Sequence, residues 1–453
     1  MLGSSIPRRS SRVVARSVIA IVAVAALGGA GVVATAIGNP RPIEKRGNPV
    51  VEFQRSKSPA ELEKKFLASR ARSVSWPLWG LGPTRNRVVP GHEQLQPPFR
   101  VDYVVHGRAM IEFPPVVAYG RLYFGTHAGT VIAARVSDGH VAWTRNLGRC
   151  IAASPAIGAN VLYVTSMGPA PCQHWPEMKG RLFALDARTG RVLWKLDSGL
   201  IESSPLLVGK MLYFASYDSV EHSTIWALNV RTHKPRWLYS VPSKVTSSPA
   251  LLGQHLYIGD YATTLYALNA KSGKLIFAST PPGNYQGHHG FYGTPSIAYD
   301  RVYIGGLDGR VYAFGARTGV LRWATATGSY VYSSPAVWHG LVFAGSCKNH
   351  RFFAFNAATG RIVWSFKANG RILGSPTVLA GAVYFSTTAG RTYALDAGTG
   401  AKLWQFPDGQ FSPIVVSGER VLLTGKGRVY GLERWRPAAQ TIAGVAVAVQ
   451  GSK

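Results

Sequence analysis

The side chains able to do chemistry fall in the stretches that separate runs of apolar residues. His127, His174, His222, His288, His289 and His350 lie there, with Asp218, Glu221, Asp260, Asp308 and Lys348. Trp175, Tyr217 and Tyr285 stand among them. Imidazoles and carboxylates together can hold a metal or move a proton. The spacing speaks against a metal: His288 and His289 are adjacent, so on an extended chain they point oppositely, and no third ligand follows at a defined interval. Asp218 and Glu221 would suit Ca2+ as a carboxylate pair, although acids beside Ser in loops more often shape turns. The chain has no Gly-x-Ser-x-Gly nucleophile motif, no phosphate loop and no Cys-x-x-Cys-His haem site. The expectation is a ligand-binding surface with no catalytic residue and no metal.

Three cysteines add to this. Cys150 and Cys172 flank one apolar segment and, in an oxidising compartment, are expected to pair and pin the stretch Ser166–Lys179. Cys347 is left as a free, buried thiol.

The elements that must position these residues repeat. Gly180–Trp194 reads GRLFALDARTGRVLW, and close copies end at Trp323, Trp364 and Trp404. Leu182, Ala184, Val192 and Trp194 alternate at period two, as one buried sheet face requires, and Asp186–Gly190 is turn chemistry. Each unit has a Ser-Pro opening, a strand ending in Tyr, a Tyr-Ala-Leu strand and a strand ending in Trp. The openings are Phe113-Pro114-Pro115, Ser154-Pro155, Ser204-Pro205, Ser248-Pro249, Thr294-Pro295, Ser334-Pro335, Ser375-Pro376 and Ser412-Pro413. The units close at Trp143, Trp194, Trp237, Phe277, Trp323, Trp364 and Trp404, and the eighth lacks its last strand. Phe99–Tyr103 fits that missing strand, with Tyr103 in the Trp place. A ring closed in this way leaves no exposed sheet edge between its ends. The period, 404 − 364 = 40 residues, matches one four-stranded blade. The fold predicted is all-β: an eight-bladed β-propeller of four-stranded antiparallel blades over residues 76–434, with seven blades as the alternative if the amino-terminal strand packs elsewhere. The loops before each Ser-Pro and those after each Tyr strand then share one face. That face collects the residues named above into a funnel.

Arg8, Arg9, Arg12 and Arg16 precede the uncharged run 17–37. Its length suffices for a transmembrane helix with residues 1–16 cytoplasmic and everything after it outside. A signal peptide cleaved after Ala34-Thr35-Ala36 is the competing reading. Residues 38–75 read as a stalk, in which Ser58 and Glu61 form a capping box. Residues 435–453 are a tail too short to cross a membrane. The formal charge is +29. Such a field favours anionic partners, yet no nucleic-acid-binding module is recognisable.

The repeat, Ser-Pro then Gly-x-Leu-Tyr then Tyr-Ala-Leu-Asp-Ala-x-Thr-Gly and Trp, resembles that of the pyrroloquinoline-quinone (PQQ) propellers. Trp76-Pro77-Leu78-Trp79 is similar to the opening segment of such chains. The resemblance implies that the repeated Trp residues, with Phe277 and Tyr103 in their places, dock between neighbouring blades. It also implies two kinds of function. One is a non-catalytic, BamB-like scaffold binding a protein or an anionic envelope polymer. The other is a PQQ- and Ca2+-dependent oxidoreductase, with Asp218, Glu221 or Asp308 as metal ligands and base. The quinone dehydrogenases carry an adjacent Cys-Cys pair, which this chain lacks, and the lipoprotein members need a Cys at the end of the export signal, which is also missing. The sequence therefore favours a monomeric, membrane-anchored, extracytoplasmic scaffold without a cofactor. A sensor or polysaccharide-binding domain is a third reading, resting on the positive field and the aromatic rim.

Overall fold

Strands of the repeat pair in chain order and build radial sheets. In the second blade the order outward is Ala156–Gly158, Val161–Ser166, Gly180–Asp186 and Val192–Ser198. The computed structural model describes residues 74–173, 179–282, 289–411 and 413–435, with isolated positions between 58 and 65. Among them are eight sheets, each with four antiparallel blade strands, arranged as an all-β, eight-bladed propeller. The last blade consists of Ile414–Ser417, Arg420–Thr424 and Arg428–Arg434, closed by Phe99–His106, which pairs antiparallel with Arg428–Arg434. Residues 1–37, most of 38–73 and 436–453 lie outside the described residues, and with them the expected anchor and nearly all of the tail. No helix among the described residues is long and apolar enough to cross a membrane. Ser58 and Glu61 do form a reciprocal cap, with Ser58 N donating to Glu61 Oε2 (2.7 Å) and Glu61 N to Ser58 Oγ (3.3 Å).

The outer strand corrects the alternation read from sequence. Val192 is 37% exposed, because the register slips between Ala184, which faces Trp194, and Leu185, which faces Val192. The same bulge recurs in every blade, including the closing strand, where it falls between Val101 and Tyr103. An extra residue bends the strand and re-aims its side chain. Here it turns the aromatic ring onto the next blade. Trp143 Nε1 donates to Ala187 O, Trp237 to Ala270 O, Trp323 to Ala357 O and Trp364 to Ala397 O, at 2.9–3.1 Å. Tyr103 OH donates to Val136 O (2.6 Å). Phe277 covers Gly319, Trp194 lies tilted against His233 (4.7 Å) and Trp404 meets Phe99 edge-on (5.5 Å).

The Ser of the Ser-Pro opening has a second job. Ser154 N donates to Ser204 Oγ, Ser204 N to Ser248 Oγ, Thr294 N to Ser334 Oγ and Ser334 N to Ser375 Oγ, at 2.7–3.0 Å. Each bond crosses from one blade to the next, so the hydroxyls link blades two to four and five to seven in two arcs around the channel.

The channel itself is filled. Val74–Trp76 pairs with the inner strand of the first blade, and Val88–Val89 runs parallel to that of the seventh. Between them the backbone crosses the centre. Pro77 O, Pro83 O, Thr84 O, Asn86 O and Arg87 O accept from Ile157, Leu251, Ile297, Val337 and Val378 N, on blades two, four, five, six and seven. Ser75 Oγ bonds Ser417 Oγ on the eighth (3.1 Å), and the Arg85 guanidinium reaches Ser204 O and Pro205 O on the third (3.2 and 3.3 Å). Leu81, Arg85 and Arg87 have positive φ (73°, 59° and 54°). This is a costly conformation for residues other than Gly, and it is held here because it fans consecutive carbonyls toward different blades. Arg85 and Arg87 are buried (0% and 1% exposed), and their guanidinium groups meet Ser-Pro carbonyls: Arg85 Nε to Pro249 O (3.0 Å), Arg87 Nε to Pro376 O (3.1 Å) and Arg87 Nη2 to Pro335 O. Proline carbonyls at the start of the inner strands have no neighbouring strand, so a planar five-donor group satisfies several at once.

Candidate functional site

Above this hub the channel opens as a funnel of about 470 Å³ on the face predicted from the loop order. Its wall follows from the repeat. Three positions before the Ser, or its equivalent, of seven of the eight openings stands a buried apolar residue: Ile111, Ile151, Ile201, Val245, Phe291, Val331 or Ile372, with Gly409 in that place in the eighth. In an extended chain the next residue must point the other way. Those next residues, Glu112, Ala152, Glu202, Thr246, Tyr292, Tyr332 and Leu373, all line the funnel. Trp79 of the hub joins them, donating from Nε1 to Thr294 Oγ1 (3.3 Å) and meeting Phe113 edge-on (5.3 Å).

The polar groups are already engaged with one another. Glu112 Oε2 lies 2.9 Å from His127 Nε2. Glu202 Oε1 accepts from Tyr217 OH and from Lys244 Nζ (3.4 Å). The Lys244 ammonium also lies over the Tyr217 and Tyr261 rings, at 4.3 and 5.4 Å, where ring quadrupoles attract a cation. Tyr261, Tyr292 and Tyr332 form an edge-to-face series with centroids 6.4 and 5.2 Å apart. Burial pushes the phenols of Tyr217, Tyr261 and Tyr292 well above their ordinary range, so they stay neutral. Burial likewise raises the Cys347 thiol, which lines the same funnel. Arg371 lines the wall opposite Glu202, four blades away, and no carboxylate of the described residues pairs with it.

Of the residues singled out from sequence, His127 reaches the funnel. Cys172 does too, joined to Cys150 by a disulfide (Cα–Cα 4.9 Å). Tyr217 stands behind Glu202. Cys347 lines the funnel as well, and the others serve their own loops. Asp218 and His222 pair on the outer rim (2.7 Å), with Glu221 exposed beside them. Asp308 bonds Arg310 (3.1 Å) and Tyr312, and Lys348 lies over Tyr330 (4.8 Å). His350 closes a turn at φ 55°, and His289 is exposed. Asp260 is buried within the fourth blade's loop, accepting from Thr264 N (2.8 Å) and Tyr266 OH (3.1 Å); burial pushes its carboxyl up to about 6. His174, Trp175, Tyr285 and His288 lie outside the described residues. Among the described residues no three His, Cys, Asp or Glu side chains are grouped as a metal site. Reasoning from residue type missed Glu112, Glu202, Lys244, Tyr292, Tyr332 and Arg371. Superposing the repeats on their Ser-Pro openings would have found the ring position that carries four of them.

Eight such blades around a filled channel define a PQQ-like propeller. A family model described as "Outer membrane protein assembly factor BamB" matches residues 127–365 and 347–436, and the chain belongs to that family. Among curated relatives it is 23% identical to BamB of Yersinia pestis over 209 residues and 27% identical to BamB of Escherichia coli over 203. In both cases the match covers 45% of this chain and 49% of the relative, so the chain spans about half the length of the curated relatives it matches. It is also 30% identical, over 181 residues, to the dehydrogenase subunit of the quinone alcohol dehydrogenase of Gluconobacter oxydans, covering 38% of this chain and 18% of that one. Among solved structures, BamB from Moraxella catarrhalis superposes with a TM-score of 0.57 (18% identity, 74% of this chain, 98% of that one). A europium-containing methanol dehydrogenase superposes with 0.65 (12% identity, 82% and 100%). These structural likenesses establish the shared fold.

Proposed function

We propose that the protein is a non-catalytic scaffold, held outside the cytoplasm by residues 17–37, that binds a protein partner through its funnel face. The observation that supports this most is the state of the funnel's polar groups. Glu112 is matched by His127, and Glu202 by Lys244 and Tyr217, so the groups able to do acid–base work are spent on holding the wall. The BamB relatives support the same reading. The oxidoreductase reading is supported by the Gluconobacter dehydrogenase, but the residues present fit PQQ poorly. A cofactor bearing carboxylates would face Glu112 and Glu202, with Lys244 already committed to Glu202, and Arg371 is the single Lys or Arg among the described residues lining the funnel that is left to receive it.

The test has two parts. A photoreactive amino acid replacing Val220, which is 71% exposed on the third blade's upper loop, is expected to capture an envelope protein in intact cells. Titration of the full chain with PQQ, with and without Ca2+, is expected to leave the tryptophan fluorescence unchanged. Saturable Ca2+-dependent quenching, or no captured protein, would overturn the scaffold.

A further inference from the structure

The upper face is electrically lopsided. On blades three to five its loops carry Asp218, Glu221, Glu202, Asp260 and Asp308, and the cations among them are matched: Lys244 by Glu202, and Arg310 by Asp308. On blades six to eight the same loops and strand ends carry Lys348, Arg351, Lys367, Arg371, Lys426 and Arg428, all exposed. One carboxylate stands among them. Asp408 lies 3.9 Å from Arg428 and already accepts from Tyr430 OH and Gly409 N, both at 2.7 Å. Of the remaining cations, Lys367 Nζ donates to Asn349 O (2.8 Å) and Arg351 to Ser365 Oγ (3.0 Å), while Lys426 meets Asp408 through its backbone N–H (3.4 Å). Like charges gathered without counter-charges repel one another, and a bound anion relieves that repulsion.

Tyr332, Leu373 and Phe411, from the same three blades, line the funnel together with Arg371. We propose that this basic crescent, with the apolar wall inside it, is a docking surface for an acidic polypeptide segment whose carboxylates meet the cations while an aromatic side chain between them enters the funnel. This rests on the scaffold reading above and names the chemistry of the partner. An extended peptide turns alternate side chains to opposite sides. It can therefore serve the cationic rim and the apolar wall in one pass, whereas a polyphosphate supplies charge and leaves the wall uncovered.

The experiment uses the full chain and the fluorescence anisotropy of a labelled peptide of alternating Glu and Phe. The peptide is expected to bind, to weaken as salt rises, and to lose binding when Gln replaces its Glu or Ala its Phe. The double variant Arg371→Glu with Lys348→Glu is expected to weaken binding at least about tenfold. Arg236→Glu, at the far end of an outer strand, is expected to leave binding unchanged, and matched thermal melts establish that both variants fold. Equal binding by the double variant overturns the proposal. So does a peptide that binds as well with Ala for Phe, or inorganic polyphosphate that displaces it at equal charge; either of these would assign the crescent to an anionic polymer. If the Val220 crosslinker captures a protein while the peptide fails, this inference alone falls. If it captures none, the scaffold reading falls with it.

Discussion

The two ends of each blade follow different rules. At the lower end the turn after the third strand is nearly the same structure in blade after blade. Asp186, Asn269, Asn356 and Asp396 each accept from the backbone N–H three residues on, at 2.8–2.9 Å. A glycine at φ 68–76° then brings the chain under the preceding blade's ring: Gly190 under Trp143, Gly273 under Trp237, Gly319 under Phe277, Gly360 under Trp323 and Gly400 under Trp364. A Cβ on Gly360 would sit 2.6 Å from the Trp323 ring. At the upper end the loops differ in length and side chains, and a shared turn, such as that of the first and fifth blades (Gly129 N to Thr126 O and Gly309 N to Gly306 O), carries different residues: His127 in one, Asp308 in the other. What repeats is under geometric constraint and holds the ring together. What varies is free to carry a site.

Breaking the lower end should have the largest effect. Trp323→Ala removes the ring that fills the gap between two blades and is expected to cost about 3–5 kcal/mol, read from chemical unfolding. Arg87→Met tests the hub. It strands the Pro335 and Pro376 carbonyls in the channel, with an expected loss of about 2–4 kcal/mol. A smaller effect would show that water replaces the guanidinium.

Asp260 tests whether the upper face hides strain. Its carboxyl is raised from 3.8 to about 6, so between those values the folded protein binds more protons than the unfolded chain. Stability should therefore fall as pH rises through that window and level off above it, by roughly 3 kcal/mol at most. Asp260→Asn keeps an acceptor for Thr264 N and should flatten this slope. A slope that survives the substitution would point to another group.

The smallest effects give the sharpest contrast. Asp396→Ala loses the bonds to Thr399 N and Oγ1 and should cost about 1 kcal/mol. Lys348→Ala on the upper rim should change stability by less than about 0.5 kcal/mol. Comparable losses from both would erase the division between holding and presenting ends.

Much of this was legible in the chain because it is local and repeated. The Tyr-Ala-Leu strands, the Trp positions and the Asp-x-x-Thr-Gly turns identify a blade, and Phe99–Tyr103 could be placed in the last one because Tyr103 stands where Trp belongs. The pairing of Cys150 with Cys172 also followed from position. The bulge was not legible, because it is a register slip between strands that leaves composition unchanged. Of the funnel, His127 could be placed from loop order alone. Glu112, Glu202, Tyr292 and Tyr332 share a position in the repeat that alternation aims inward, so the signal existed but lay in the register and not in residue type.

What the sequence determined by itself is therefore the blade and its repetition: the strands, the docking ring and which end carries the variable loops, while the choice of eight blades over seven waited on the pairing of Phe99–His106 with Arg428–Arg434. These depend on contacts within a blade or between successive blades, and each is written many times over. The tertiary structure alone decided the hub and the electrical division of the upper face. Residues 77–87 occur once, and their carbonyls and two arginines make sense only against inner strands from six blades brought to one axis. Lys348, Arg371 and Lys426 are far apart in the chain and become one crescent only when the ring closes. A charge pattern assembled across three blades has no period in the sequence to reveal it.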